Sequence, residues 1–243
     1  MVTNMKDQGV IRSGRSIKSP KALLSIAKAT ALGDACFDYI LTKIKPGISE
    51  KDIAFQIEDF LMKNGSEGLA FQTICVSGEN SNQPHGEPTE KLIKTGDLLT
   101  MDFGAVIEGY CGDMTRTVAV GKVSPDQKRV YEIVLKAQVA ALALVKAGVR
   151  CFDVDKAARD IITEAGYGEY FVHGTGHGVG KKVHEKPTLN SKSDELLQEN
   201  MAVTVEPGIY IPKKYGVRIE DLAIVTKFGI INLTHSEKRL LII

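Results

Sequence analysis

The sequence predicts an α+β fold made of two similar halves, and three observations carry that expectation. Apolar residues recur first at helical and then at strand spacing, this order of a helix pair followed by strands occurs twice, and the two occurrences align without a gap when the numbering is shifted by 101. Under that shift Lys45 meets Lys146, Gly47 meets Gly148, Asp52 meets Asp153 and Gly65 meets Gly166, while Ile53/Val154 and Leu61/Ile162 match in kind. An internal duplication of this sort suggests halves that face each other and build one site between them.

The elements follow in order. Residues 1–16 read as a leader or linker, and residues 17–243 as a single unit with halves of about 17–122 and 123–243. From Pro20 to Ile44, Leu23, Leu24, Ala27, Leu32, Phe37, Ile40, Leu41 and Ile44 keep helical spacing, which predicts one long helix. Lys45-Pro46-Gly47 breaks it, Ser49 is an N-cap with Asp52 three residues on, and Ile53, Ile57, Phe60 and Leu61 mark a second helix ending near Gly65. Residues 98–107 and 110–120 are β-rich runs on either side of Glu108-Gly109, and residues 201–211 and 217–225 flank Pro212-Lys213-Lys214-Tyr215-Gly216. Each half therefore gains a hairpin.

Composition narrows the function classes. With 31 basic against 30 acidic residues, bulk electrostatics recruits neither nucleic acid nor an anionic membrane. No apolar run approaches the roughly 18 to 20 residues of a membrane span, and Met1 to Ser19 lacks the apolar core of a signal peptide, so the expected location is the cytoplasm. Cys36, Cys75, Cys111 and Cys151 form no Cys-x-x-Cys pair, which argues against a zinc knuckle or a disulfide framework and for buried bystander thiols.

The carboxylates carry the chemical signal. If Glu108-Gly109 is a two-residue turn, Asp102 lies opposite Thr115 with Asp113 as its diagonal neighbour on the same face. Asp102 sits within Leu98-Leu99-Thr100-Met101-Asp102-Phe103-Gly104, an apolar run where an unpaired charge is costly; Arg116 is one available partner and a cation is another. In the second hairpin a turn centred on Lys213 sets Glu206 opposite Glu220, an arrangement that destabilises a sheet unless something positive lies between them. Arg218, two positions from Glu220, is the alternative to a metal there.

Between the hairpins runs His173-Gly174-Thr175-Gly176-His177-Gly178-Val179-Gly180, whose glycines let backbone approach a site closely. Three of the five histidines, His173, His177 and His184, fall within twelve residues, which favours chemistry over isolated structural roles. The glycine spacing does not fit a phosphate loop, and Asp102-Phe103-Gly104 lacks the glycine-rich loop and strand lysine of a kinase.

Taken together, these segments resemble the pita-bread metallopeptidases, the family of methionine aminopeptidases, Xaa-Pro aminopeptidases and prolidases. The resemblance runs from about Ile17 to Thr234 and rests on Met101-Asp102-Phe103-Gly104, Gly112-Asp113-Met114-Thr115-Arg116-Thr117, His173-Gly174-Thr175-Gly176-His177-Gly178, Val205-Glu206-Pro207-Gly208-Ile209-Tyr210 and Arg218-Ile219-Glu220-Asp221. It implies a pita-bread fold with a curved antiparallel sheet between the halves. It also implies two divalent metal ions, with Asp102 chelating one, His177 and Glu206 coordinating the other, and Asp113 and Glu220 bridging both; Glu220 rather than Asp221 is the ligand. An oxygen-rich set with one imidazole suits Mn²⁺, with Co²⁺, Fe²⁺ or Zn²⁺ as alternatives.

The resemblance further implies that Glu206 doubles as general base, that His184 stabilises the developing oxyanion and that His85, in Gln83-Pro84-His85-Gly86, contacts the scissile amide. Pro84-His85-Gly86-Glu87-Pro88-Thr89, His173, Tyr210 and the Arg218-Ile219-Glu220-Asp221 ending resemble the proline-directed branch, where His173 lines the proline pocket and Arg218 with Tyr210 supports the site. The expected reaction is hydrolysis of Xaa-Pro bonds at a peptide N-terminus. A methionine aminopeptidase and a non-catalytic binding module of the same fold are the alternatives. Enzymes of this branch usually carry a further N-terminal domain, so the chain is expected to be a catalytic domain alone; a homodimer is possible.

Overall fold

Both halves open with the pair of helices that the periodicity predicts. The computed structural model describes residues 16–243, so the expected leader lies outside the described residues except for its last position. In the first half α1 spans Pro20–Leu41, with Ser19 accepting from the amide of Ala22 and proline in its first turn. It buries Ile26, Ala29, Phe37 and Ile40. The helix stops at Leu41 rather than at Ile44, because the amides of Thr42 and Lys43 donate three residues back, to Tyr39 and Ile40, and tighten the last turn out of the α pattern.

Helix α2, Glu50–Lys63, starts with the expected capping box, in which Ser49 and Asp52 satisfy each other's backbone amides. The second half repeats the arrangement with α3, Pro125–Leu144, and α4, Cys151–Glu164. Shifting α2 by 101 reproduces both ends of α4. The glycines matched by the shift also share their backbone state: Gly47 and Gly148 have φ of 91° and 87°, and Gly65 and Gly166 have φ of 101° and 87°. These are left-handed turns that a residue with a Cβ resists, so the repeat is a repeat of turns as well as of helices. The N-cap is where the halves differ: Arg150 replaces Ser49 and supplies no side-chain cap, and Asp153 pairs with Arg150 instead.

The strands are β1 (Ile74–Ser77), β2 (Leu98–Phe103), β3 (Val106–Ile107), β4 (Tyr110–Cys111) and β5 (Met114–Ala119) in the first half. In the second they are β6 (Gly176–Gly178), β7 (Glu185–Leu189), β8 (Ala202–Val205), β9 (Gly208–Ile211), β10 (Tyr215–Arg218), β11 (Asp221–Val225) and β12 (Ile230–Asn232). They pair antiparallel, in a three-stranded sheet β1-β2-β5, a five-stranded sheet β12-β11-β8-β6-β7 and the ribbons β3-β4 and β9-β10. The hairpin registers follow the sequence analysis. Asp102 faces Thr115, Glu108 and Gly109 form a turn with φ of 51° and 71°, and the pairs Ile211/Tyr215 and Val205/Asp221 are both centred on Lys213.

One expectation needs correcting. Each hairpin arm is broken in the middle rather than continuous, at residues 104–105, 112–113, 206–207 and 219–220. At the breaks the backbone bonds elsewhere: the carbonyl of Gly104 accepts from the amide of Ala70, and the amides of Glu206 and Glu220 donate to Thr175 and Thr115, while Pro207 has no amide to offer a ladder. Three of the acidic residues, Asp113, Glu206 and Glu220, stand in these breaks.

Each half has its own apolar core. One gathers Phe37, Ile57, Leu61, Met101 and Phe103, the other Val134, Val154, Ile162, Val203 and Val217. A third buried cluster that includes Ile26, Cys111, Val179 and Leu222 joins the halves. The four cysteines are buried and free. Arg116, 1 % exposed, ties the hairpins together: it donates to the carbonyls of Thr115, Glu220 and Ser236 and pairs with Asp221 at 2.9 Å. Among the described residues no helix is long and apolar enough to cross a membrane.

Candidate metal centre

Backbone register places the acidic residues before any side chain is considered. The breaks in the two hairpins meet where the amide of Glu220 donates to the carbonyl of Thr115, and β6 pairs with β8 so that His177 arrives beside Glu206. That approach is close: a Cβ on Gly176 would lie 2.0 Å from the carbonyl oxygen of Thr204, and one on Gly178 2.2 Å from that of Lys186. Glycine on either side of His177 is therefore a packing requirement.

The result is a cavity of about 790 Å³ lined by Asp102, Asp113, His177, Glu206 and Glu220, with His85, His173, His184 and Arg218 around it. Asp113, His177 and Glu220 each offer a ligand atom within 4.8 Å of the others. His177 Nε2 lies 3.1 Å from Glu206 Oε1 and 3.7 Å from Asp113 Oδ2. Its Nδ1 is 3.2 Å from the carbonyl of Gly178, which leaves Nε2 as the nitrogen that faces the carboxylates. Asp102 Oδ2 pairs with Arg218 at 2.5 Å.

The electrostatics are those of a site short of positive charge. Burial, then the charges of Glu220, Asp102 and Glu206, pushes the Asp113 carboxyl well above the usual carboxylate range. Burial and the charges of Glu206 and Asp102 do the same to Glu220. Asp102 is raised by burial against the pull of Arg218. Glu206 behaves oppositely: despite burial, the hydrogen bond and charge of His177 hold it down, and Glu206 in turn lifts His177 above its ordinary value against burial. Two buried carboxylate oxygens, Asp102 Oδ1 and Glu220 Oε1, have no hydrogen-bond partner. Orphaned acceptors at converging acids fit divalent cations, as does a donor set of four carboxylates and one imidazole.

A connected set of hydrogen bonds holds these groups. Arg218 donates to Asp102, to Tyr210 Oη at 2.8 Å, to the carbonyl of Pro84 at 3.1 Å and to Thr115 Oγ1 at 3.0 Å, and the Thr115 hydroxyl donates in turn to Glu220 Oε2 at 2.7 Å. Since Tyr210 accepts from Arg218, its own hydroxyl proton points at His173 Nε2, 2.8 Å away, and His173 Nδ1–H donates to Gly174 at 2.7 Å. His173 thus spends both ring nitrogens, and burial lowers its pKa toward the neutral form. Arg218 pairs with Asp102 across the halves, not with the glutamates of its own hairpin as the sequence suggested. Arg116, the other candidate partner of Asp102, is engaged with Asp221. Asp221 also meets Lys238, Gln138 and Asn232, which separates it in role from its neighbour Glu220.

His184 stacks edge-on against His177, with ring centroids 4.3 Å apart, and burial followed by the charge of His177 lowers its pKa. His85 is exposed at the rim. Several supporting residues were not singled out from the sequence. Thr204 Oγ1 accepts from the amide of His177 and donates to Glu206, while Asp155 accepts from the amide and hydroxyl of Thr175 and holds Arg159, which donates to the carbonyls of Phe171 and His173. Asp155 had one signal, a charge on the buried stripe of α4 beside Cys151, Val154 and Ala158.

Fold and site together define a protein built to hold metal in a cleft between two halves. The chain belongs to metallopeptidase family M24, whose model matches residues 25–227. It is 46% identical over 229 residues to an uncharacterized peptidase of Bacillus subtilis, YqhT, covering 94% of this chain and 65% of that protein. It is 44% identical over 236 residues to the Xaa-Pro dipeptidase of Pyrococcus horikoshii, covering 97% and 67%. Among solved structures, the Xaa-Pro dipeptidase from Bacillus anthracis superposes with a TM-score of 0.95 at 47% identity, over 98% of this chain and 67% of that one. The fold is accordingly the pita-bread fold expected from the sequence. The chain spans about two thirds of the length of these relatives.

Proposed function

We propose that this chain is a metal-dependent peptidase that hydrolyses the bond between an N-terminal residue and a following proline. The observation that carries the reading is the convergence of Asp102, Asp113, His177, Glu206 and Glu220 on one cavity, with two buried carboxylate oxygens left unpartnered. We assign these five side chains to two divalent ions, manganese first, and residues 17–243 to one catalytic unit. When bound, such ions supply Lewis acidity that polarises a carbonyl and lowers the pKa of a water.

The chain's own groups divide the remaining work. Glu206, held ionised by His177, takes the proton of the attacking water on its carboxylate. His184, at the cavity wall beside His177, donates to the oxyanion that develops on the scissile carbonyl. His85 at the rim contacts the scissile amide. His173, with both nitrogens already committed, presents ring carbons rather than a free polar atom, which suits a pyrrolidine ring. Relatives named as Xaa-Pro dipeptidases support the choice of proline.

A panel of Xaa-Pro and Met-Ala peptides, run with Mn²⁺ or Co²⁺ and again with a chelator, tests the reading. Metal-dependent cleavage of Xaa-Pro peptides alone is expected. Release of methionine without Xaa-Pro cleavage identifies a methionine aminopeptidase and overturns the assignment, and binding of peptide without hydrolysis identifies a non-catalytic module.

A further inference from the structure

Glu50 is the first residue of α2 and is completely buried, yet none of its contacts belongs to the metal centre. Its Oε1 accepts from the amide of Ser77 at 2.7 Å and its hydroxyl at 2.8 Å. Its Oε2 accepts from the amide of Thr89 at 3.1 Å and its hydroxyl at 2.7 Å. Asn80 Nδ2 reaches both oxygens, at 3.3 and 3.1 Å, and also Thr89 Oγ1. Every partner is a donor, so one carboxylate joins the segment before Gln83 to the segment after Pro88.

The stretch enclosed by those two anchors carries His85. The His85 imidazole is exposed at the rim of the cleft and makes no hydrogen bond to another described residue, so its placement depends on the loop backbone. That backbone is fixed at its middle by Arg218 on the carbonyl of Pro84, at its start by Ser81 on the amide of Gly216, and at its two ends by Glu50. Asp155 of α4 does the corresponding task in the other half, holding the amide of Thr175 and, through Arg159, the carbonyl of His173.

We propose that Glu50 is a positioning residue: its buried carboxylate closes the His85 loop and sets the imidazole over the cleft. The assignment of a substrate contact to His85 rests on the peptidase reading above; the closure of the loop does not. Glu50→Gln keeps the shape but turns an NH₂ toward donors that need an acceptor. Thr89→Val removes the hydroxyl that donates to Glu50 and accepts from Asn80 and the amide of Lys91, keeps the β-branched outline and the Thr89 amide, and serves if Glu50→Gln folds poorly.

Histidine ring spectra of the protein loaded with diamagnetic Zn²⁺, with the His85 signal assigned by His85→Ala, are the direct measurement. In Glu50→Gln or Thr89→Val the His85 signal shifts or broadens while that of His235 stays in place and metal content is unchanged. Kinetically, kcat/KM on an Xaa-Pro peptide falls about ten- to a hundredfold, as expected for a misplaced contact group. Adding Glu50→Gln to His85→Ala then costs little more, because both changes remove the same interaction. An unmoved His85 signal, or losses that multiply in the double variant, overturns the proposal. A parent protein that cleaves no peptide overturns the peptidase reading, while the spectra still decide the role of Glu50.

Discussion

Arg218 is the side chain on which most of the site's alignment converges, since it touches Asp102, Tyr210, Thr115 and the loop of Pro84 at once. Replacing it by methionine keeps much of the volume but frees Asp102, and metal affinity measured by titration is expected to fall about ten- to a hundredfold, the usual cost of losing such outer support. Thr115→Val should act in the same direction through Glu220. Asp113→Ala and Glu220→Ala are expected to remain folded and to lose metal in elemental analysis together with hydrolysis. His184→Ala should keep its metal and lose turnover, about 10² to 10³-fold in kcat with little change in KM, because its bond forms with charge that develops only during reaction. At this scale the sequence was informative where an acid broke an apolar run, as at Asp102, or where acids met across a register, as at Glu206 and Glu220. It was silent about Glu50, which in sequence looks like any acid in the first turn of a helix and in the fold is wholly buried.

The hairpins carry that information further. A turn centre at Lys213 and a two-residue turn at Glu108-Gly109 are enough to place Asp102 opposite Thr115 and Glu206 level with Glu220, because register in a hairpin is set by its turn. Of the breaks that divide the arms, only the one at Pro207 had a signal in the sequence, since a proline cannot donate to a ladder; the others have their reasons in other segments, such as Thr115 accepting the amide of Glu220. The glycine-rich strand β6 gives the sharpest test of how tightly these segments fit. Gly176→Ala sets a methyl against the carbonyl of Thr204, and a loss of about 1 to 3 kcal/mol in denaturant unfolding is expected, with weaker metal binding because His177 must shift.

For the molecule as a whole, the metal centre and stability are linked. Without a cation between them, Asp113 and Glu220 have raised pKa values in the folded state, so folding takes up protons and stability falls as pH rises above the ordinary carboxylate range. Chelated protein should therefore melt at lower temperature at pH 8 than at pH 5. Mn²⁺ at about a hundred times its Kd should add roughly 2.7 kcal/mol, or about 5 to 10 °C, with a larger gain at the higher pH. Calorimetry with and without metal checks both signs, with Asp113→Asn as the comparison that removes the contribution of one carboxylate; a metal-free pH dependence unchanged by that substitution would contradict the assignment. The proposed ligands also come from both halves, Asp102 and Asp113 from one and His177, Glu206 and Glu220 from the other. An ion bound by them would work as a crosslink between the halves, fastening chain positions more than sixty residues apart much as a disulfide would. Its removal should loosen the seam between the halves before either core, so that amide exchange quickens first at Glu220, whose amide donates across the seam to the carbonyl of Thr115.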